Sequence, residues 1–313
     1  MSDAAPVVSA SRISKAFGAV RAIDELSFEV ARGEIFGLVG PDGAGKTTIL
    51  RVIAGVMAAD SGAVSVDGVD VLAEPERVRE HISYMPQRFG LYEDLTVDEN
   101  IRFYAEVFEV PRAVRQQRAA RLLQASGMEP FRRRLAGQLS GGMKQKLGLT
   151  CSLVHAPRIV LLDEPTTGVD PVSRREFWEI LYGLREEGVT ILISTAYLDE
   201  AERCDRLALL HEGRMVYCES PLQLRRRMPG AMIEVPTPAA RAARDCLAVL
   251  PGVRGVLMVG DGVHVHLDVA DDGPARLQAA LRAAGIPHEL PRAIMPSVED
   301  LFVALVGGGG VRR

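Results

Sequence analysis

A glycine-rich segment at residues 40–47 has the residue types and the spacing of a phosphate-binding loop. Its sequence, Gly-Pro-Asp-Gly-Ala-Gly-Lys-Thr, matches the pattern G-x-x-x-x-G-K-[ST] in full. Glycines let the backbone turn so that its amide N–H groups converge on a polyphosphate. Lys46 can then reach the β- and γ-phosphates, and the Thr47 hydroxyl can ligate Mg²⁺. The segment therefore predicts a site for a nucleoside triphosphate with Mg²⁺.

The flanking residues indicate the two elements that such a loop needs. Residues 34–39 form a short apolar run typical of a buried strand, and residues 47–54 have helical spacing. The start of a helix contributes a partial positive charge beside bound phosphate. A chance match in an ordinary strand-to-helix turn is therefore the weaker interpretation.

A second apolar run, at residues 158–162, ends in two acidic residues, Asp163 and Glu164. Such a run is typical of a central parallel strand, which brings the acids to the carboxyl edge of the sheet. Asp163 can hold Mg²⁺ through water, opposite Thr47. Glu164 can polarise an attacking water as a general base. Ser140 is well suited to be the N-cap of another helix, whose first amides would form a second anion-binding site.

The order of predicted elements indicates an α/β fold with a mainly parallel sheet. Residues 7–13 and 25–30 alternate like half-buried strands and predict an antiparallel β-subdomain. Helical spacing over about residues 88–150 predicts a helical subdomain inserted into a nucleotide-binding domain at residues 1–228. Residues 229–313 are expected to form a small α+β module with the ferredoxin-like order β-α-β-β-α-β and a flexible glycine tail.

Composition favours a globular protein with no nucleic-acid partner. The chain has 313 residues, 47% of them hydrophobic and 25% charged, and a net charge of −4. The basic runs at residues 132–134 and 225–227 fit solvated helix ends better than a binding stripe. The sequence contains no run of eighteen apolar residues, so no membrane span is expected. Residues 1–6 lack a basic and an apolar region, so no signal peptide is expected either.

The cysteines and histidines offer no convincing metal site. The cysteines, at positions 151, 204, 218 and 246, form no C-x-x-C pair, which is typical of a reduced, cytoplasmic chain. His264, His266 and His288 could be imagined as metal ligands. The alternation over residues 263–267 instead predicts that the strand's histidines line a solvated face.

Further motifs occur in the order and spacing of a known family. A Leu-Ser-Gly-Gly-Met signature at residues 139–143 precedes the Asp-Glu pair, and Gln87 and Gly-Val-Asp at residues 168–170 complete the set. Over residues 7–220 the chain resembles an ATP-binding-cassette ATPase. Kinases and small GTPases lack the Ser-Gly-Gly signature. The resemblance implies ATP and Mg²⁺ as ligands.

The resemblance also assigns roles to individual residues. The catalytic residues are Glu164 and Gln87; the metal-binding residues are Thr47, Gln87 and Asp163. The nucleotide-binding residues are Phe17, Gly40, Pro41, Asp42, Gly43, Ala44, Gly45, Lys46, Thr47, Thr48, Ser140, Gly141, Gly142 and Asp170. Phe17, expected on a loop, offers a face for adenine stacking, although a core aromatic is the alternative. Asp170 is expected at a dimer interface, which is compatible with its being a helix N-cap before Pro171.

The helical insert should carry Ser140 away from the phosphate-binding loop. In the family, two cassettes face head to tail, and each ATP lies between one chain's loop and the other's signature. The resemblance therefore implies a dimer closed by ATP. Ala196 occupies the position where the family usually has a histidine that contacts the γ-phosphate. Because alanine cannot replace that hydrogen bond, we expect slow turnover at this chain's own site, and a heterodimer is favoured over a homodimer.

The function implied is that of the cytoplasmic ATPase subunit of an exporter, held on the inner face of the membrane by a separate multi-span permease. Residues 94–98 are where the family docks its permease, and the C-terminal module resembles those of drug and polysaccharide exporters. One alternative is a non-hydrolysing regulatory cassette, which Ala196 favours and Glu164 opposes. Another is a soluble cassette protein acting on ribosomes or DNA, which the single cassette and acidic charge oppose.

Overall fold

The computed structural model describes residues 5–268 and 272–307. The chain divides into two compact units, one ending at Glu219 and the other beginning at Ser220. This division precedes the predicted boundary after residue 228, because a short helix at Pro221–Arg226 belongs to the second unit. Most of the predicted glycine tail, from residue 308 onwards, lies outside the described residues.

The first unit contains ten strands, seven α-helices and two short 3₁₀-helices among its described residues. The strands are β1 (Val8–Phe17), β2 (Val20–Val30), β3 (Ile35–Val39), β4 (Ser61–Val66), β5 (Val69–Asp70), β6 (Ile82–Met85), β7 (Ile159–Asp163), β8 (Thr190–Thr195), β9 (Arg206–His211) and β10 (Arg214–Glu219). The helices are α1 (Lys46–Ile53), α2 (Pro75–Arg79), α3 (Val97–Val107), α4 (Arg112–Ala125), α5 (Gly141–Leu153), α6 (Pro171–Glu186) and α7 (Leu198–Ala201).

The central sheet has six strands in the order β10-β9-β3-β8-β7-β6. Its strands from β9 to β6 are parallel, and β10 pairs antiparallel with β9. The loops after β3, β7 and β8 therefore open at one edge, where ligands of such sheets bind. A separate antiparallel sheet has the order β2-β1-β4-β5. The predicted mainly parallel sheet with an antiparallel β-subdomain is confirmed.

Helices α3, α4 and α5 pack around an apolar core of their own, which includes Ile101, Leu123 and Leu147. Each of the three helices contributes one of these side chains, and all three are almost completely buried. The insertion of helices between β6 and β7 confirms the predicted helical insert.

Helix α6 begins earlier than the sequence pattern indicated. Its apolar spacing predicts a helix over residues 177–187, but the helix starts at Pro171. The Asp170 carboxylate accepts hydrogen bonds from the backbone amides of Val172 (3.1 Å) and Ser173 (2.9 Å), which satisfies amides of the first turn. Proline at the first helical position is compatible with this start, since the N–H it lacks would have no partner in the helix.

The second unit has the strand and helix order that the sequence predicts. Its elements are α8 (Pro221–Arg226), β11 (Ala231–Pro236), α9 (Ala240–Leu247), β12 (Val253–Val259), β13 (Gly262–Leu267), α10 (Gly273–Ala283), β14 (Arg292–Ile294) and α11 (Val298–Gly307). The sheet order is β12-β13-β11-β14, and every pairing is antiparallel. This is the ferredoxin-like arrangement with one helix added at each end.

The predicted solvated histidine face is wrong for both His264 and His266, which are largely buried. Val263, Val265 and Leu267 do point into the core, as the alternation predicts. On the other face, however, His266 is 7% exposed, and its Nε2 donates to the Pro229 carbonyl at 2.6 Å. Among the described residues no cluster of His, Cys, Asp or Glu could hold a metal ion.

His264 forms a buried pair with Asp300 at the start of α11. Its Nδ1 lies 3.0 Å from Oδ1 of Asp300, whose side chain is fully buried. The hydrogen bond to Asp300 raises the pKa of His264, although burial works against this. Burial pushes the pKa of Asp300 upward, but hydrogen bonds from His264 and Ser297 outweigh it, so that this pKa is lowered overall.

The pair should make the stability of the second unit depend on pH. A raised histidine pKa stabilises the fold fully below the unfolded value of about 6.5 and loses that contribution as pH rises through the folded pKa. A lowered aspartate pKa contributes above about pH 4. We therefore expect His264→Gln to destabilise this unit at pH 5.5 by about 1.5–3 kcal/mol, and by less at pH 9.

Urea unfolding of the full chain at the two pH values, followed by pulse proteolysis with fragment assignment by mass, measures this difference. Arg244→Gln is the matched control, because it removes a surface ion pair of the same unit, with Asp245 at 2.7 Å, that contains no histidine. An equal effect of His264→Gln at both pH values would contradict the expected linkage.

Candidate active site

The glycine-rich loop joins β3 to α1 and has little room for side chains. Gly45 has φ +99°, and a Cβ there would lie 2.5 Å from the Ala22 carbonyl oxygen. A Cβ on Gly40 would lie 2.3 Å from the carbonyl oxygen of Leu210. Glycine is therefore required at both positions, by backbone conformation at Gly45 and by close approach at both.

Helix α1 begins with its first amides available to an anion. Its N-cap is Gly45, which offers no side-chain cap, and its first turn contains no acidic residue. Unpaired amides at a helix start, together with the helix dipole, favour a bound phosphate. These features fit the predicted phosphate site.

Lys46 is almost completely buried at the base of this loop. Its ammonium donates to the carbonyl oxygens of Gly40 (2.8 Å) and Pro41 (3.0 Å). It also lies 3.0 Å from Oε1 of Glu164, whose side chain is 12% exposed. The loop carbonyls thus direct the positive charge into the site, and the Glu164 carboxylate balances it.

Asp163, the last residue of β7, accepts hydrogen bonds from three hydroxyl groups. Thr47 Oγ1 donates to its Oδ1 at 2.9 Å, and Ser194 Oγ donates to the same oxygen at 2.7 Å. The Tyr84 hydroxyl donates to Oδ2 at 3.2 Å, and the pKa of Tyr84 is raised, chiefly by burial. This oxygen-rich group fits the donor preference of Mg²⁺, with Thr47 and Asp163 side by side.

Glu164 is held in an uncommon backbone conformation, with φ +47°. Its amide donates to both the hydroxyl (2.9 Å) and the carbonyl oxygen (3.2 Å) of Ser194. Its Oε2 accepts hydrogen bonds from Gln87 Nε2 (3.1 Å) and Thr167 Oγ1 (3.3 Å). A left-handed conformation at a non-glycine residue persists where its surroundings impose it, and such residues cluster at functional sites.

These groups open into a cleft of about 730 Å³. The predicted site residues that line it are Phe17, Asp42, Gly43, Ala44, Gly45, Lys46, Thr47, Thr48, Gln87 and Glu164. Phe17 is 49% exposed, so the alternative of a core aromatic is excluded. It is the last residue of β1, where it pairs with Val20, and the expected loop position is wrong.

The remaining predicted nucleotide contacts do not line this cleft. Ser140 caps α5 by accepting a hydrogen bond from the Met143 amide (3.3 Å), which confirms the predicted N-cap. A Cβ on Gly142 would lie 2.4 Å from Ser173 of α6, so the starts of α5 and α6 are packed together. Asp170, which caps α6, is exposed beside them, and hydrogen bonds from Ser173 lower its pKa. Gly40, Pro41 and Asp163 do not line the cleft either, but they are hydrogen-bonded to Lys46 and Thr47, which do. The remaining predicted residues form two surfaces, the cleft and the starts of α5 and α6.

Sequence reasoning assigned no site role to several residues that line the cleft. These residues are Val20, Ala22, Thr167 and Tyr197. Ala196, singled out as a departure from the family pattern, also lines the cleft and is exposed. It directly follows the end of β8, the strand between β3 and β7.

A glycine-rich loop before a helix, a lysine directed into it, and a hydroxyl paired with a strand-end aspartate together define a P-loop nucleoside triphosphatase. The family described as ABC transporter matches residues 23–167. The probable multidrug ABC transporter ATP-binding protein YbhF of Escherichia coli (strain K12) is 43% identical over 92% of this chain and 50% of its own length. The chain therefore spans about half of that relative.

The daunorubicin/doxorubicin resistance ATP-binding protein DrrA of Streptomyces peucetius is 33% identical, over 96% of this chain and 92% of its own length. A dimeric ATP-binding cassette, solved in a post-hydrolysis state with ADP and phosphate, superposes with a TM-score of 0.62 and 26% identity. The match covers 68% of this chain and 98% of that one. The chain belongs to the ATPase family of ABC transporters, in which ATP hydrolysis is coupled to transport.

Proposed function

We propose that the chain hydrolyses ATP to drive export through a separate membrane permease. The observation that carries this proposal is that Lys46, Thr47 and the Glu164 carboxylate line one cleft, with the buried Asp163 hydrogen-bonded to Thr47. Binding, metal-holding and proton-accepting groups are thereby available within a single site. Phosphoryl transfer to water needs little else than positioning and charge neutralisation.

Each residue of the cleft has a distinct task in this proposal. Phe17 stacks on adenine, while Lys46 and the first amides of α1 bind the phosphates. Thr47, Asp163 and Gln87 would hold Mg²⁺, which when bound would neutralise charge on the phosphate oxygens. Glu164 accepts the proton of the attacking water, and its hydrogen bond from Gln87 aims the carboxylate.

The dimer is proposed from the predicted nucleotide-binding residues around Ser140 and Asp170, which do not line the cleft. Ser140 and Gly141 form an exposed helix start, Gly142 is buried directly after them, and Asp170 lies beside this start. We propose that this surface completes the nucleotide site of a second cassette and that ATP closes the two together. The dimeric relative bound to ADP and phosphate supports this arrangement. A heterodimer is favoured over a homodimer, because Ala196 removes a contact that a sister cassette could supply at its own site.

Export is supported by two similar proteins, a probable multidrug ABC transporter ATP-binding protein and a daunorubicin/doxorubicin resistance protein. None of the helices in the described part of the chain is long and apolar enough to cross a membrane. On the pattern of the family, a separate permease is proposed as the partner, docked near residues 94–98, with the chain on the inner face of the cell membrane. The alternative is a regulatory cassette that does not hydrolyse ATP. It is opposed by the presence of Glu164, the proposed general base, 3.0 Å from the phosphate-binding Lys46.

Substitution of Ser140 tests the proposed dimer. Ser140→Asp keeps a good N-cap for α5 but adds a negative charge where the partner's phosphates would lie. In a Glu164→Gln background, which is expected to slow hydrolysis, ATP should produce a dimer of this chain, or of this chain with its sister cassette. Ser140→Asp should abolish that dimer without lowering the affinity of the chain's own cleft for ATP.

Light scattering with and without ATP, together with nucleotide titration, measures the two effects. Ser140→Ala is the matched control for the cap, since it costs about 1 kcal/mol of stability and adds no charge. An ATP-dependent dimer that persists undiminished in Ser140→Asp would contradict the proposed interface. Co-purification with a multi-span permease from detergent-solubilised membranes tests the transporter partner.

A further inference from the structure

Glu200, on α7, is a fully buried carboxylate to which the proposed mechanism assigns no role. The Thr166 hydroxyl donates to its Oε1 at 2.6 Å, and the Thr195 hydroxyl donates to its Oε2 at 2.7 Å. Burial of a carboxylate is costly unless donors replace its hydration. Each carboxylate oxygen of Glu200 therefore accepts a hydrogen bond from one threonine hydroxyl, and the two threonines belong to different segments of the chain.

Arg174, in the first turns of α6, balances the charge of this carboxylate. Its Nε lies 3.6 Å from Oε1 of Glu200, and its guanidinium lies over the Tyr197 ring, 4.2 Å from the centroid. The Nε is buried and has no hydrogen-bond partner, so its interaction with Glu200 is electrostatic. In such a buried setting, charge and hydrogen-bond interactions are stronger than in water.

The two hydroxyls belong to the two segments that line the cleft after β7 and β8. Thr166 lies between Glu164 and Thr167, both of which line the cleft. Thr195 is the last residue of β8 and directly precedes Ala196. Glu200 thus joins the segment that carries the catalytic carboxylate to the segment at the end of the neighbouring strand.

The backbone of Glu164 needs such support. Its φ of +47° lies in the left-handed region, which a glutamate rarely adopts unless surrounding contacts impose it. Ser194 holds the Glu164 amide from one side. Thr166, two residues after Glu164, belongs to the same loop. Its hydrogen bond to Glu200, which also binds Thr195, fixes the loop at this second point.

We propose that Glu200 is a positioning residue for ATP hydrolysis: it holds the loop after β7 so that the Glu164 carboxylate is aimed at the attacking water. This inference rests on the proposed function, in which Glu164 is the general base. It concerns geometry at the reacting atoms and leaves the phosphate-binding loop unchanged.

Glu200→Ala is expected to lower kcat on the order of 100-fold, because small displacements of a catalytic group cost rates of that size. The KM for ATP should change little, since Lys46 and Phe17 are untouched. Glu200→Gln should restore most of kcat, because the amide can accept from one threonine hydroxyl and donate to the other. Phosphate release over a range of ATP concentrations, on the full chain with any sister cassette present, gives both constants.

The two threonines provide a second test, which does not depend on the stability of Glu200→Ala. Thr166→Val and Thr195→Val each remove one end of the connection, so the double variant should be little worse than the poorer single variant. Independent structural roles would instead give effects that multiply. Thr190→Val is the matched control, because Thr190 is also buried and hydrogen-bonded on β8, at the opposite end of the strand.

Glu164→Gln separates failure of this inference from failure of the proposed function. If Glu164→Gln leaves turnover unchanged, the proposed function is overturned, and the inference with it. If Glu164→Gln lowers turnover but the Glu200 and threonine variants keep the wild-type kcat, only the positioning role is overturned. A fall in kcat with unchanged KM, rescued by Glu200→Gln, supports it.

Discussion

Glu164→Gln is expected to lower ATP turnover by on the order of 10²–10⁴-fold while ATP binding is retained, since this is the usual contribution of a general base. Glutamine has nearly the same shape as glutamate and can keep the hydrogen bond from Thr167, so the loop after β7 should keep its course. It cannot, however, accept a proton from water. The substitution also removes the negative charge 3.0 Å from the Lys46 ammonium, which leaves that cation free to meet phosphate.

Initial rates of phosphate release and equilibrium nucleotide titration separate these two consequences. Glu176→Gln is the matched control: Glu176 pairs with Lys146 at 2.5 Å outside the cleft, and its loss should leave turnover unchanged. Equal turnover of Glu164→Gln and the wild-type chain would exclude Glu164 as the base. A parallel loss of ATP affinity would instead identify a binding role.

The core of the site could be predicted because its chemistry is local in the sequence. The phosphate-binding loop occupies eight consecutive residues. Phosphate binding explains the presence of its three glycines as well as that of Lys46. Asp163 and Glu164 follow an all-apolar strand, which is enough to place them at the carboxyl edge of a parallel sheet. The pairing of Thr47 with Asp163 then follows from two motifs whose roles were each known separately.

The missed residues are those whose position depends on the whole sheet. Thr167 and Tyr197 line the cleft because β8 lies between β3 and β7, an order that no local pattern reveals. Glu200 is similar, since its two hydroxyl partners come from segments on either side of α6 in the chain. Burial of a carboxylate in a helix of only four residues has no sequence signal of its own.

The wrong predictions concern the exposed or buried face of a strand and the end of a strand. Both depend on contacts with residues elsewhere in the chain. The alternation around His266 correctly assigned the core face of β13. The other face was expected to be solvated, but the backbone carbonyl of Pro229 satisfies this histidine there. Phe17 was expected on a loop between the two predicted strands; its pairing with Val20 instead makes it the end of a strand.

Ala196→His is expected to raise ATP turnover at this chain's own site by on the order of 10²–10³-fold, the typical value of one preorganised contact to transition-state charge. Ala196 is exposed and lines the cleft directly after β8, so an imidazole can be added without displacing a core side chain. Unlike a methyl group, it can donate a hydrogen bond to a phosphate oxygen. The gain should appear in kcat, because the residues that bind the nucleotide are unchanged.

The measurement compares phosphate release by the purified wild-type chain and by Ala196→His, first alone and then with a sister cassette. Val20→His is the matched control, since Val20 is an exposed residue of β2 that lines the same cleft, away from the end of β8. Only the substitution at position 196 should accelerate turnover. Brisk turnover by the wild-type chain alone, unchanged in Ala196→His, would contradict the view that Ala196 slows this site and would remove the main argument for a heterodimer. If instead Ala196→His accelerates the chain alone to the rate of the complex with its sister, the missing histidine contact accounts for the dependence on a partner.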